Sequence, residues 1–389
     1  MTPIEACDLL RRSLDGMLSG STPDRPLWNQ ELLRSGGKNR WNYIDGVMIT
    51  AVLALCEATG EEALLRFADG FVGAFVAEDG TIRGYDAAEQ NLDNLSPGRN
   101  LFPLYRLTGR EKYRRAMDTL RAQLETAPRT REGSFWHKRI YPGQVWLDGL
   151  YMAQPFYMEY ETRYHRMRGC ADVFAQLRNA RRLMRDGATG LYYHGYDETR
   201  AMPWADPVTG LSASFWLRSI GWLYVALVDC LAAMSDELYY EYRTLQAMLR
   251  ELSDALLPWQ GENGMFHQVV DSPGEPGNYP ETSGTALVAY GMLRAARLGF
   301  LPARYAAHGL RAFQGTADTW LAANPDGSVR LGGICLVAGL GGPAGRAGTH
   351  AYYYGEPVVE NEAKGIGPML LAASEVLRRE AAGGAPANR

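Results

Sequence analysis

The sequence predicts an all-α protein folded as an (α/α)6 barrel of six inner and six outer helices. Three observations predict it. Segments that are apolar nearly all round alternate with amphipathic segments. There are about six of each. A short Gly-centred motif recurs between them.

The amphipathic segments, in chain order, are 4–18, 61–77, 110–126, 170–185, 238–257 and 302–322. In the third, Tyr113, Ala116, Met117, Leu120 and Leu124 follow helical spacing, with Arg and Asp opposite. Val173, Phe174, Leu177, Ala180 and Met184 do so in the fourth, and Tyr242, Leu245, Met248 and Leu252 in the fifth. One wet face marks an outer helix. The other set is 44–58, 96–107, 147–163, 214–233, 282–298 and 363–378. A helix apolar on every side is buried on every side, so these are inner helices. The Gly-centred motif appears at Asp79-Gly80-Thr81, Glu132-Gly133-Ser134, Thr189-Gly190-Leu191, Asn263-Gly264-Met265 and Asp326-Gly327-Ser328. Each follows an amphipathic helix and precedes a buried one, so one supersecondary unit repeats around a ring. Residues 1–380 are therefore expected to form a single domain, and 381–389, small and polar, a fraying tail.

Composition narrows the function. Among 389 residues, 46% are hydrophobic and 22% charged, which is globular composition. A net charge of −4 has the wrong sign for holding nucleic acid by phosphate neutralisation. No apolar run is long enough to span a membrane. Cys7, Cys56, Cys170, Cys230 and Cys335 form no paired motif and are expected to be free, buried thiols. The first residues carry Glu5 and Asp8 and do not resemble an export signal, so a cytoplasmic protein is expected.

In a barrel of helix hairpins the Gly-centred loops meet the N-terminal ends of the inner helices at one rim. Those ends present unpaired N–H groups and partial positive charge, which favour an anionic ligand. Asp45, Asp93, Asp148, Arg218, His137 and His194 fall there, among many Trp and Tyr. Aromatic faces for a sugar ring and polar groups for its hydroxyls and carboxylate make this a sugar-acid site. The plainer alternatives stay open. An Asp just before a helix is often an N-cap. Asp148, between Leu147 and Gly149 and near Trp146, is a cap or else an acid whose pKa is raised by apolar neighbours. His137, His194 and His267 close equivalent loops and serve either chemistry or the repeat. No His pair has zinc-ligand spacing. Gly339-Leu340-Gly341-Gly342-Pro343 lacks the context of a phosphate loop.

At these residues the chain resembles glycoside hydrolase family 105, the unsaturated rhamnogalacturonyl hydrolases. The strongest stretch runs from Gly133-Ser134-Phe135-Trp136-His137-Lys138 to Gln144-Val145-Trp146-Leu147-Asp148-Gly149 and on to Met152-Ala153. Asp93 with Pro97-Gly98-Arg99, Glu281-Thr282-Ser283-Gly284, and Gly355-Glu356-Pro357 running into Lys364-Gly365 agree with it. The resemblance implies an (α/α)6 barrel with no metal and no organic cofactor. It implies catalysis by Asp148, with Asp93 as the second carboxylate. It implies substrate contacts at Tyr43, His137, Lys138, Trp146, Met152, His194, Arg218 and Trp222. Ile220 stands where relatives carry Asn, a departure that bears on the preference for the leaving sugar.

The substrate so implied is an oligosaccharide ending in a 4,5-unsaturated uronic acid. Its enol ether would be hydrated, with Asp148 protonating C4. An unsaturated glucuronyl hydrolase, a sugar 2-epimerase with histidine acid/bases on the same barrel, and a non-catalytic carbohydrate-binding barrel are the competing readings.

Overall fold

A computed structural model describes residues 1–384. Its helices are α1 (Pro3–Gly20), α2 (Gln30–Ser35), α3 (Tyr43–Thr59), α4 (Glu62–Gly73), α5 (Leu101–Thr108), α6 (Glu111–Thr126) and α7 (Leu147–Tyr164). There follow α8 (Cys170–Met184), α9 (Leu217–Ala233), α10 (Tyr239–Leu256), α11 (Thr282–Arg297), α12 (Arg304–Trp320), α13 (His350–Gly355) and α14 (Ala363–Gly384). The inner ring is α3, α5, α7, α9, α11 and α14, and it closes because α14 packs on α3. Each of α4, α6, α8, α10 and α12 backs the inner helix that precedes it in the chain, while α1 backs α14. The fold is the (α/α)6 barrel that the alternation predicts.

The alternation has a plain cause. Every residue of α9 from Leu217 to Leu231 is buried, because it packs on α7, α11 and the outer α10. In α6, by contrast, only the stripe through Tyr113, Ala116, Met117, Leu120 and Leu124 and its flanks is covered. The second inner segment differs from a plain helix. Ser96–Asn100 is a 3-10 turn that runs into the short α5. Pro97 sets this tighter start, and Gly98 lies against Leu120 and Phe156. Residues 381–384 continue α14, and the remainder of the expected tail, 385–389, lies outside the described residues.

The five motif glycines, Gly80, Gly133, Gly190, Gly264 and Gly327, all have φ between +78° and +87°. A left-handed residue lets the chain reverse in a tight hairpin before the next inner helix. Six short strands form three two-stranded antiparallel pieces. The one that matters is β1 (Gln144–Trp146) with β2 (Gly195–Asp197), in the register Trp146 to Gly195. The loops are also stitched to one another. The N–H of the residue that opens a rim helix donates to the next loop: Leu92 to His137 O (3.1 Å), Leu147 to His194 O (3.0 Å) and Leu217 to Gln268 O (3.0 Å). Thr282 to Gly333 O (2.8 Å) and Ala363 to Trp28 O (2.9 Å) follow the same pattern. This stitching holds the rim side chains in fixed relation.

No helix among the described residues is long and apolar enough to cross a membrane. All five cysteines are free thiols, four of them buried and Cys56 half-buried.

Candidate active site

The rim collects the polar residues that the sequence singled out. Asp148 is the second residue of α7, and Arg218 the second of α9. Both helices begin after a tryptophan, Trp146 or Trp216, with no side-chain cap. None of the three candidate aspartates is an N-cap. Asn42 caps α3 by accepting the Asp45 N–H, and Asn91 accepts the Asp93 N–H.

Asp148 faces two imidazoles. Its Oδ2 lies 3.1 Å from His194 Nε2. Gly149, next in the chain, lets the other approach. A Cβ there would stand 2.9 Å from His137 Nδ1. His137 is stacked on Trp146 with centroids 4.6 Å apart, and His194 lies edge-on to Trp146 and 4.6 Å from Trp216. The guanidinium of Arg346, from the Gly-rich segment after Gly339, lies 5.9 Å from the Trp146 ring, and Tyr141 stacks on that ring at 4.9 Å. Asp93 forms the second cluster, 3.4 Å from His137 Nε2 and 2.5 Å from Lys138 Nζ. Tyr43, Asp93 and Lys138 line a cleft of about 590 Å³ that opens outward past Arg40, Asn91 and Ile140.

The electrostatics overturn one expectation. An apolar setting was expected to raise the Asp148 pKa. Burial does push it up, but the His194 imidazole in contact, with His137 behind, outweighs burial and holds Asp148 below the ordinary carboxylate range. Asp148 is therefore a carboxylate at pH 7. Burial pushes His137 down to about 4, against the pull of Asp93, so it is neutral at pH 7. The Asp93 carboxylate keeps Lys138 charged, raising its pKa despite burial.

Arg218 is 2% exposed and donates through one nitrogen to Cys335 O (2.5 Å) and Ser283 Oγ (3.1 Å). The Trp216 ring lies 4.7 Å from its guanidinium. Arg218 has no carboxylate within 4.0 Å among the described residues. A buried cation without an ion-pair partner favours an anionic ligand. Glu281, which caps α11, anchors Ser283 and also accepts the Cys335 N–H.

Met152 and Trp222 lie one helical turn below Asp148 and Arg218. Both are 1% exposed and belong to the hydrophobic core, with Trp222 stacked on Tyr151. Ile220 is fully buried in the same core. Arg99, part of the Pro-Gly-Arg motif, points away from the rim to pair with Asp229 near the opposite mouth. His267 is not the equivalent of His137 and His194. The loop carbonyl that receives the inner-helix N–H is that of Gln268, one residue later. Tyr353, on α13, was missed; its hydroxyl meets His194 Nδ1 at 2.7 Å. No periodicity or motif marks Tyr353, which reaches the site only because α13 folds back over Trp216.

A barrel of helix hairpins with carboxylates, imidazoles and aromatic rings on one rim defines a carbohydrate-active enzyme. The chain belongs to the GH88/GH105 unsaturated glycuronyl hydrolases: the model of Glycosyl Hydrolase Family 88 matches residues 26–380, and a family 105 member is closely similar throughout. That member, the glycoside hydrolase of C. acetobutylicum ATCC 824, superposes with a TM-score of 0.87 at 36% identity, covering 95% of this chain and 98% of its own. Protein Atu3128 of Agrobacterium fabrum is 42% identical over 232 residues, 58% of this chain and 98% of that protein. The unsaturated rhamnogalacturonyl hydrolase YesR of Bacillus subtilis is 26% identical over 264 residues, 66% of this chain and 72% of its own.

Proposed function

We propose that this hydrolase removes a 4,5-unsaturated galacturonic acid from the non-reducing end of lyase-generated rhamnogalacturonan fragments, with rhamnose as the partner sugar. The observation that carries the reading is the presence, at one rim, of the Asp148 carboxylate and the buried Arg218, which has no carboxylate partner among the described residues. The first handles protons. The second awaits an anion such as a uronate. The similarity to YesR supports rhamnogalacturonyl over glucuronyl substrates.

Asp148 and Asp93 are the catalytic pair, and Tyr43, His137, Lys138, Trp146, His194 and Arg218 bind the sugar, over a floor of Met152 and Trp222. The substrate carboxylate brings a second negative charge close to Asp148. Like charges raise one another's pKa, so Asp148 takes up a proton as substrate binds. Protonated Asp148 delivers that proton to C4 of the enol ether. Positive charge develops on C5 and O5. Water adds at C5 and loses its proton to Asp148 or Asp93. The hemiketal opens, leaving C1 as a hemiacetal that releases the partner sugar. No nucleophile attacks C1, so carboxylate spacing does not set stereochemistry here.

The test follows the ultraviolet absorbance of the conjugated uronate over a panel of unsaturated galacturonyl and glucuronyl disaccharides. Unsaturated galacturonyl-rhamnose should be turned over fastest. Equal or faster loss of absorbance from glucuronyl disaccharides would refute the substrate, and no loss from any of them would refute the activity. The reaction is placed in the cytoplasm, which suits five unpaired thiols. Recovery of the activity from the culture medium alone would overturn that placement.

A further inference from the structure

His194 touches Asp148 through one ring nitrogen and Tyr353 through the other. Nε2 is 3.1 Å from Asp148 Oδ2, and Nδ1 is 2.7 Å from the Tyr353 hydroxyl. Tyr353 is fully buried. Its ring is stacked on Trp216, centroids 5.7 Å apart and 15° from parallel. Its main-chain N–H donates to Thr349 O and its carbonyl accepts from Gln268 Nε2. The side chain therefore has little freedom to turn.

His194 Nδ1 is the one hydrogen-bond partner of that hydroxyl among the described residues. A hydroxyl carries one proton and two lone pairs, and a buried O–H left without an acceptor costs about 1–3 kcal/mol. The proton is satisfied only by donation to Nδ1. A neutral imidazole whose Nδ1 accepts must carry its own proton on Nε2. That nitrogen faces Asp148.

We propose that Tyr353 is a positioning residue that locks His194 in the neutral Nε2–H tautomer, with that nitrogen beside the proton-carrying oxygen of Asp148. The proposal rests on Asp148 being the proton carrier. Protonating His194 would put a hydrogen on Nδ1, turn it toward the Tyr353 oxygen and strip the hydroxyl of its acceptor. The lock thus fixes which nitrogen of the neutral ring carries its proton and leaves the proton to be delivered on Asp148. It also disfavours a reading in which His194 acts as an acid/base. Burial pushes the Tyr353 pKa well above its ordinary value, so the hydroxyl keeps its proton to donate.

The charged and titratable groups around this pair come from every neighbouring element. Asp148 and His137 face His194 from α7 and the loop before it. Tyr352, Cys335 and Arg346 act on Tyr353 from α13 and the segments before it. Of these, Arg346 is a fixed cation, and Tyr352 and Cys335 have pKa values raised by burial.

The test uses the full-length protein labelled with ¹⁵N-histidine, the His194 signals being assigned by their absence in His194→Gln. With six histidines the spectrum is simple. Two-bond proton–nitrogen correlations should show neutral His194 as the Nε2–H tautomer at about pH 8. The Tyr353→Phe variant keeps the ring and removes the hydroxyl. It should show a mixture of tautomers. Its kcat should fall about tenfold or more, with KM changed much less. A wild-type neutral His194 that carries its proton on Nδ1 overturns the proposal. So does a Tyr353→Phe variant with an unchanged His194 spectrum or unchanged kcat. The tautomer is read without substrate, so an error in the assigned substrate would leave this result intact.

Discussion

Asp45 and Asp148 occupy nearly the same place in the sequence pattern. Each follows an aliphatic residue, precedes a glycine and lies in the first turn of an inner helix, α3 or α7. Their surroundings differ completely. Asp45 accepts from Trp28 Nε1 (2.9 Å), Asn39 Nδ2 (2.6 Å) and Asn42 Nδ2 (3.0 Å), all uncharged donors. Burial outweighs those bonds and raises its pKa to about 6. Asp148 has imidazoles instead and is held low. The carboxylate with the pKa suited to an acid is thus locked into structure, while the one open to a ligand is ionised. A raised pKa alone does not identify a catalytic acid. Access to a reacting atom and the ability to change proton affinity on binding matter more.

The two glycines repeat the lesson. A Cβ on Gly46 would stand 2.9 Å from the main chain of Pro97, whereas one on Gly149 would meet the His137 ring. The same requirement for close approach serves packing in one place and the site in the other.

The sharpest way to break this comparison is to neutralise each aspartate. Asp148→Asn should lower kcat about 10²–10⁴-fold while melting normally. Asp45→Asn should keep turnover within a few-fold, because the Asp45 carboxylate is engaged by Trp28, Asn39 and Asn42, but lose about 1–3 kcal/mol of stability at pH 8 as its donors lose acceptors. Steady-state rates and denaturant melts of the pair decide it, and an Asp148→Asn enzyme with wild-type turnover ends the assignment.

A milder perturbation exchanges the glycines. Gly46→Ala should cost about 1–3 kcal/mol by overpacking against Pro97. Gly149→Ala should displace His137 and reduce kcat/KM, with a smaller stability change because alanine favours the helix by about 1 kcal/mol. If both variants lose only stability, the distinction between the two sites fails.

The effect furthest from activity is in the pH dependence of stability. The Asp45 pKa is raised from 3.8 to about 6, so its contribution is full below 3.8 and is lost as pH rises through about 6. The His137 pKa is lowered from 6.5 to about 4, so its contribution is full above 6.5 and is lost as pH falls through about 4. Between those limits the two oppose each other. Relative to wild type, Asp45→Asn should gain stability as pH rises from about 4 to 6, by at most about 1.4 kcal/mol per pH unit. His137→Gln should show the reverse slope. Urea melts across that range would expose parallel curves if the burial of either group has been misjudged.

Much of this was legible along the chain. The twelve barrel helices follow from the alternation of apolar and amphipathic segments, since burial on all sides or one side is written into local spacing. The rim followed from the loop glycines, whose left-handed turns recur at five of the six outer-to-inner junctions. Short α2 and α13 were not visible, being too brief to show a period. The 3-10 opening at Ser96–Asn100 was hidden inside an apolar run.

What the residues determined alone is the architecture, because hydrophobic periodicity and turn chemistry are local and each repeat unit must bury the same kind of face. Only the folded chain decided which groups became neighbours: His194 against Asp148, Tyr353 behind His194, Arg99 turned to the far mouth. Proton affinity depends on charges a few ångströms away in space, and the nearest imidazole, His194, comes from a loop more than forty residues further along the chain. That is why the sign of the Asp148 shift could not be had from Leu147 and Gly149.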